Sequence, residues 1–228
     1  SGKGDHAEAI LSLHRLAQCL RARRFERGSI AFDRPEVRFE LDEEGKPIAV
    51  QIKESKPAHQ LIEEFMLLAN RTVAERIAEP ARRDITPALN LKGKPAFVYR
   101  IHEAPDEEKL RSLADFVHRF GYKLKTEGGA DAIAKSLNQL LSDIQGKPEE
   151  DMLTMLAIRS MAKARYTTAH IGHYGLGFES YTHFTSPIRR YPDLMVHRLL
   201  TRYLIEGKPS VDASALEEQC DHASDMES

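Results

Sequence analysis

The chain has 228 residues, 41% apolar and 30% charged, with a net charge of −2, the composition of a soluble globular protein with one sizeable core or two small ones. No apolar run approaches the roughly 20 residues of a membrane span, which excludes a membrane partner through spanning helices, and Cys19 and Cys220 lie far apart, as free thiols in a reducing cytosol do. The slight negative charge argues against a globally basic nucleic-acid binder, but it leaves room for a basic channel within a mixed surface.

From Asp5, a suitable N-cap, apolar residues recur at Ile10, Leu13, Leu16, Ala17 and Leu20, the spacing of an amphipathic helix that Gly28 stops. Arg21, Arg23, Arg24 and Arg27 at its end are either the flank of a nucleic-acid path or a solvated basic helix terminus. Residues 29–53 alternate as a hairpin: Val37, Phe39 and Leu41 point one way, Asp42-Glu43-Glu44-Gly45 turns, and Ile48, Val50 and Ile52 return. The acidic run fits a solvated turn tip. Phe32, just before the hairpin, is either a core residue or a surface on which a base could stack.

Residues 58–79 carry the longest helical pattern, with Ile62, Met66, Ala69, Val73 and Ile77 as its buried stripe. Glu63 and Asn70 stand seven apart and so share one face beside that stripe, where a carboxylate and an amide could meet ribose hydroxyls. Residues 80–94 read as irregular, with Pro80 and Pro87 as breakers. A buried strand over 95–102 follows, then helices over 106–120, 129–144 and 148–164, the last opening on Glu149, Glu150 and Asp151, where the helix dipole favours acids. Residues 166–170 read as a strand, and a final helix begins near Asp212.

Between these lies the most informative stretch, Gly172 to Arg198. It combines a Gly-rich loop with Tyr181-Thr182-His183-Phe184-Thr185-Ser186-Pro187-Ile188-Arg189-Arg190-Tyr191. Thr185 or Ser186 as N-cap and Pro187 at the first helical position predict a helix running from Pro187 to about Ile205, with Asp193 pairing to His197 one turn on. Arg189 and Arg190 would then sit beside free N–H groups at the positive end of the dipole, an arrangement suited to phosphate. Tyr181 and Phe184 add aromatic surface for bases. His170, His173 and His183 are closely spaced but lack a companion Cys or carboxylate in a zinc pattern.

This stretch, with Asp193 and His197-Arg198 after it, resembles the ribonuclease II / ribonuclease R family, in the style of its bacterial ribonuclease R branch. Two further blocks match in the family's order: Leu61-Ile62-Glu63-Glu64-Phe65-Met66-Leu67-Leu68-Ala69-Asn70, and the Arg-rich run from Leu20 to Phe32. The resemblance implies an α+β fold, a hairpin and small mixed sheet packed with several long helices. It also implies that residues 1–228 are a single domain, the C-terminal portion of an RNB exoribonuclease catalytic domain cut at both ends; separately, the opening Ser1-Gly2 is the kind of pair a cleaved tag leaves.

The implied activity is processive 3′→5′ hydrolysis of single-stranded RNA to nucleoside 5′-monophosphates in the cytoplasm. Arg189 and Glu63 would be catalytic, and Arg190, Tyr181, Phe184, Ser186, Asn70 and Phe32 would bind RNA. The family uses Mg²⁺ held by an aspartate cluster upstream of these three blocks, and no such run occurs in this sequence, so no metal ligand is assigned and no bound Mg²⁺ is expected. A non-catalytic RNA-binding module that keeps only the phosphate-binding loop and helix is the alternative. A domain missing part of its sheet should also leave apolar surface exposed and prone to self-association.

Overall fold

The computed structural model describes residues 4–32, 36–53, 56–78 and 94–227. In chain order the elements are α1 (Ala7–Glu26), β1 (Glu36–Leu41), β2 (Pro47–Lys53), α2 (Pro57–Ala78), β3 (Tyr99–Ile101), α3 (Glu107–His118), α4 (Ala130–Ile144), α5 (Glu150–Ser160), β4 (Arg165–Thr167), α6 (Tyr191–Leu200) and α7 (Ala213–Glu227). The fold is α+β as expected: helices dominate, and the strands form two separate antiparallel pairs, β1–β2 and β3–β4. Residues 80–93, read as irregular, and the first two residues lie outside the described residues.

Local chemistry accounts for the boundaries. Asp106 caps α3, its carboxylate accepting from the Lys109 N–H at 3.0 Å. The acidic hairpin tip folds on itself: Asp42 Oδ1 accepts from the N–H groups of Glu44 and Lys46 at 3.0 and 2.8 Å. That carboxylate is spent on its own turn.

Two large apolar clusters carry the structure, and a small third one joins Leu67 of α2 to Phe178 and Tyr181. Of the large two, one joins the end of α2 to Phe97, Val98, β3, β4, α6 and α7; the other packs Ile30 against α3, α4 and α5. The first half of α1 takes no part, and Ile10, Leu13 and Leu16 are exposed. Phe39, Leu41, Ile48 and Val50 on the hairpin are also exposed. Apolar surface is thus open on both elements.

Two expected elements differ. The helix predicted from Pro187 starts at Tyr191, with Arg190 as its N-cap and Pro192 in its first turn. A helix begun at Pro187 would bury Pro192 in its interior, where it has no N–H for the Ile188 carbonyl and its ring collides with that carbonyl. Begun at Tyr191, the helix places Pro192 where the missing donor costs nothing. Ser186 is therefore no helix cap; its carbonyl instead closes a turn, accepting from the N–H groups of Arg189 and Arg190 at 3.3 and 3.1 Å. Past Leu200 the helix widens into a π-type segment, Thr201–Ile205.

The stripe of α2 is also rotated from the expected one. Its buried residues are Glu64, Leu67, Asn70, Ala74, Ile77 and Ala78, while Ile62 is exposed. Two polar side chains sit on the inward face because other elements supply their partners. That rotation sets the geometry of the site.

Truncating Leu137, fully buried in the second cluster, to Ala should lower stability by about 2–5 kcal/mol. Leu13→Ala on the exposed face of α1 should stay within about 0.5 kcal/mol. Urea midpoints at unchanged slope measure both.

Candidate nucleic-acid interface

The stretch from Gly172 to Arg190 is largely an irregular loop laid over β3 and the middle of α2, and each part is tied down by identifiable bonds. Its first part is stitched to β3 through the backbone: His102 N–H reaches Gly172 O at 3.2 Å and Arg100 N–H reaches Tyr181 O at 3.0 Å. Thr182 is fully buried and donates to Val98 O at 2.7 Å. At Gly177 (φ +63°) an added Cβ would lie 2.9 Å from the Arg27 carbonyl, so the loop and the end of α1 touch only because that position has no side chain.

Asn70 on α2 holds the middle of the loop. It is buried, donates to the Tyr181 hydroxyl at 3.0 Å, and accepts from the N–H groups of Phe184 and Thr185 at 3.0 and 3.2 Å. Phe184 stacks on His197, centroids 4.2 Å apart, and His197 Nε2 lies 2.9 Å from Phe184 O. The expected Asp193–His197 pair does not form. Asp193 faces back along the chain, accepting from the Ser186 N–H at 2.7 Å and from Arg190 Nη2 at 2.9 Å. Starting the helix at Tyr191 puts Asp193 in the first turn, in reach of both.

The predicted site residues thus separate. Asn70 and Tyr181 are buried and position the loop, and Tyr181, 4% exposed, has no free face for a base. Arg190 is tied to Asp193, and Ser186 closes the turn. Arg189 is exposed, its Nη2 lying 3.4 Å from Ser186 Oγ. With Arg190, Tyr166, Tyr191 and Pro192 it lines a cleft of about 800 Å³ against α7. Phe184 and Phe32 are half-buried, the latter packed beside the second core cluster.

Glu63 and Asn70, seven apart on α2, lie along one face as expected, but Glu64, further round the helix, is the buried glutamate. Glu64, 3% exposed, meets Arg24 at 2.6 Å, and Arg24 also donates to Ser29 Oγ at 2.8 Å. Arg24 is therefore an interior link rather than part of a solvated helix end. Glu63 remains half-exposed, 3.5 Å from Arg24 and 3.9 Å from Arg21. Asn138 on α4 was not foreseen: its amide brackets the segment before Phe32, donating to Ser29 O at 2.8 Å and accepting from Ala31 N–H at 3.0 Å. A polar residue inside an apolar helical stripe is the sequence signal that marks Glu64 and Asn70.

His173 and His183 are held neutral, each pushed down to about 3, by burial first and then by neighbouring positive charge, His102 and Arg100 for the former and Arg190 and Arg100 for the latter. They form no zinc site: among the described residues no group of three or more His, Cys, Asp or Glu side chains is arranged to hold a metal ion. No described helix is long and apolar enough to cross a membrane.

The RNB domain family model matches residues 1–206. The chain belongs to the RNB domain family. Ribonuclease R of Aquifex aeolicus is 41% identical over 197 residues, covering 86% of this chain and 26% of that protein. Among solved structures, the apo form of Mycoplasma genitalium RNase R aligns with a TM-score of 0.82 and 28% identity, over 98% of this chain and 34% of that one. The same enzyme in complex with ribose-methylated single-stranded RNA aligns with a TM-score of 0.79 and 27% identity, over 97% and 33% of the two chains. The chain spans about a quarter of the length of the curated relatives it matches. The matched family residues end before α7, so one wall of the cleft beside Arg189 lies outside them.

Two predictions follow from this geometry. Asn70→Ala strands the Phe184 and Thr185 N–H groups and should lower stability by at least about 2 kcal/mol, read from thermal or urea unfolding. The unfolded chain binds protons at His173 and His183 near pH 6.5, whereas the folded chain does so only near 3. Their contribution is therefore fully present above about pH 6.5 and is lost progressively as the pH falls toward 3. Unfolding midpoints at pH 7 and pH 5 should show the lower value at pH 5, and His183→Gln should flatten that dependence.

Proposed function

We propose that this chain is the part of a 3′→5′ exoribonuclease that receives the end of single-stranded RNA, with Arg189 holding the phosphate at the bond to be cleaved. The observation that carries this is the exposed guanidinium of Arg189 on a turn whose leading backbone is fixed by Asn70 and Asp193, and whose next residue, Arg190, is held through its side chain by Asp193. A guanidinium presents parallel N–H donors matched to a phosphate, and a fixed turn spares it the cost of being positioned. Family membership and the RNA-bound neighbour support RNA as the ligand.

The other residues divide by exposure. Glu63 keeps an accessible carboxylate that can accept from ribose hydroxyls, while Glu64 is neutralised by Arg24. Phe32 and Phe184 offer partial ring faces for stacking. In the whole protein the product would be nucleoside 5′-monophosphates.

Hydrolysis in this family is expected to take Mg²⁺, and the described residues do not fit that group. The two acids most buried here, Asp193 and Glu64, are both bound to arginines. The chain's own residues bind and orient the strand; no step through a metal is derived from them. The same donor set suits a second reading, an RNA-holding module without cleavage of its own.

In the full-length protein, Arg189→Ala should lower turnover by about 10²-fold or more while changing RNA affinity far less. Arg189→Lys should fail similarly because the fork is lost. Near-normal turnover in either would remove Arg189 from this role. Glu63→Ala should weaken discrimination between RNA and DNA ends, whereas Glu64→Ala should instead destabilise the fold by taking from the buried Arg24 its close carboxylate and leaving it only the half-exposed Glu63 at 3.5 Å. The purified chain alone should bind single-stranded RNA in a strongly salt-dependent way and hydrolyse none in Mg²⁺ or Mn²⁺. Hydrolysis abolished by EDTA would show that the chain assembles a metal site of its own.

A further inference from the structure

Two adjacent arginines end the loop, and the structure treats them differently. Asp193 is fully buried, and its Oδ1 accepts from both Arg190 Nη2 at 2.9 Å and the Ser186 N–H at 2.7 Å. Its Oδ2 lies 2.9 Å from Arg190 Nε. One carboxylate therefore grips the beginning of the turn through Ser186 and its end through Arg190. Arg190, 18% exposed, has its charge matched within the fold. Arg189, between the two anchors, is exposed and has no carboxylate partner among the described residues; its guanidinium lies 3.4 Å from the neutral Ser186 hydroxyl.

We propose that Asp193 is a positioning residue that divides the work of the two arginines, locking Arg190 as a strut of the turn so that Arg189 alone is presented to an RNA phosphate. The proposal rests on the reading of Arg189 given above. Its physical basis is independent of that reading: a buried carboxylate without its cation is costly, so Asp193 holds Arg190 in place whether or not a ligand is bound. A guanidinium paired to a buried carboxylate has its charge matched and that edge turned to the carboxylate, so offering the same edge to a phosphate would require breaking the pair. Without Asp193 the turn loses its clasp at both ends. Arg190 becomes free to compete for the phosphate, and Arg189 is no longer fixed between two anchors.

Asp193→Asn is the informative substitution, since it keeps the shape and an oxygen for the Ser186 N–H but removes the charge. Two measurements on the chain decide the matter. The first needs no RNA: the arginine side-chain Nε–H signals in ¹⁵N-edited NMR should include a protected one from Arg190, assigned by its loss in Arg190→Lys, and Asp193→Asn should remove that protection. The second is the factor by which Arg189→Ala weakens binding to a single-stranded oligonucleotide at low salt. That factor should be about tenfold in the parent, as for one charge-assisted contact, and should fall below about twofold in the Asp193→Asn background. In that background Arg190→Ala should itself weaken binding.

An equal Arg189→Ala factor in both backgrounds overturns the proposal. If Asp193→Asn does not fold, Arg190→Lys probes the same clasp from the other side, keeping the cation and losing the fork, and an unchanged Arg189→Ala factor there overturns it equally. If the parent chain binds no RNA, the reading of Arg189 as a phosphate contact fails and the division of roles falls with it, while the Nε–H signal still decides whether Asp193 immobilises Arg190.

Discussion

The loop over β3 depends on one side-chain amide. Asn70 uses three of the four hydrogen bonds an amide can make, one to the Tyr181 hydroxyl and two from consecutive backbone N–H groups at Phe184 and Thr185. Backbone groups in an irregular buried segment have no ladder to satisfy them, so each needs an individual partner or carries a desolvation penalty. An asparagine is suited to that task because donor and acceptor leave from one rigid plane. A carboxylate would lack the donor and bring a charge into a buried position; an aliphatic residue would leave two N–H groups stranded. The helix α2 therefore matters to the site less for its apolar stripe than for the polar residue placed within it.

The same device recurs around the loop. Asn138 brackets Ser29 and Ala31 just before Phe32, and Arg24 joins Glu64 on α2 to the Ser29 hydroxyl. The Ile30 N–H then reaches Gly175 O at 2.9 Å, so the segment entering the hairpin is fastened to α1, α2, α4 and the Gly-rich loop at once. Buried ion pairs contribute little net stability compared with apolar substitutes, but they discriminate strongly against arrangements that separate the partners. Here the partners lie on elements far apart in sequence. Specification of one arrangement of irregular segments is what such pairs do best.

Much of this was legible in the sequence, and what was not has definable causes. The hairpin, with its Asp42–Gly45 turn, and helices α3 to α5 follow from alternation, capping and apolar spacing, all of which act within a few residues. The start of α6 was misread because Ser186-Pro187 is a good local helix opening, and only Pro192, five residues on, vetoes it. The face of α2 was misread because an apolar periodicity cannot register a buried Glu64 or Asn70 whose partners, Arg24 and Tyr181, lie 40 and 111 residues away. The exposed apolar faces of α1 and the hairpin show the same limit: periodicity predicts that a face is apolar, not what packs on it. In the site itself, the identity of the residues was readable and their division into supports and contacts was not.

That division also explains how a chain with a net charge of −2 can present an anion-seeking surface. Charge in the interior is cancelled pair by pair, Arg24 with Glu64 and Arg190 with Asp193. Each pair adds nothing to the net charge and little to the field outside, whereas an exposed guanidinium such as that of Arg189 acts at full range within the roughly 8–10 Å Debye length at physiological salt. Acids elsewhere are spent locally: Asp42 on its own turn, Asp106 on a helix cap, Glu217 on Thr167 and Thr168. The surface potential near the turn is set by which charges the fold leaves unpaired, not by their sum. Asp193 is decisive on this view, because it fixes both the shape of the turn and which of two neighbouring positive charges is left to act outward.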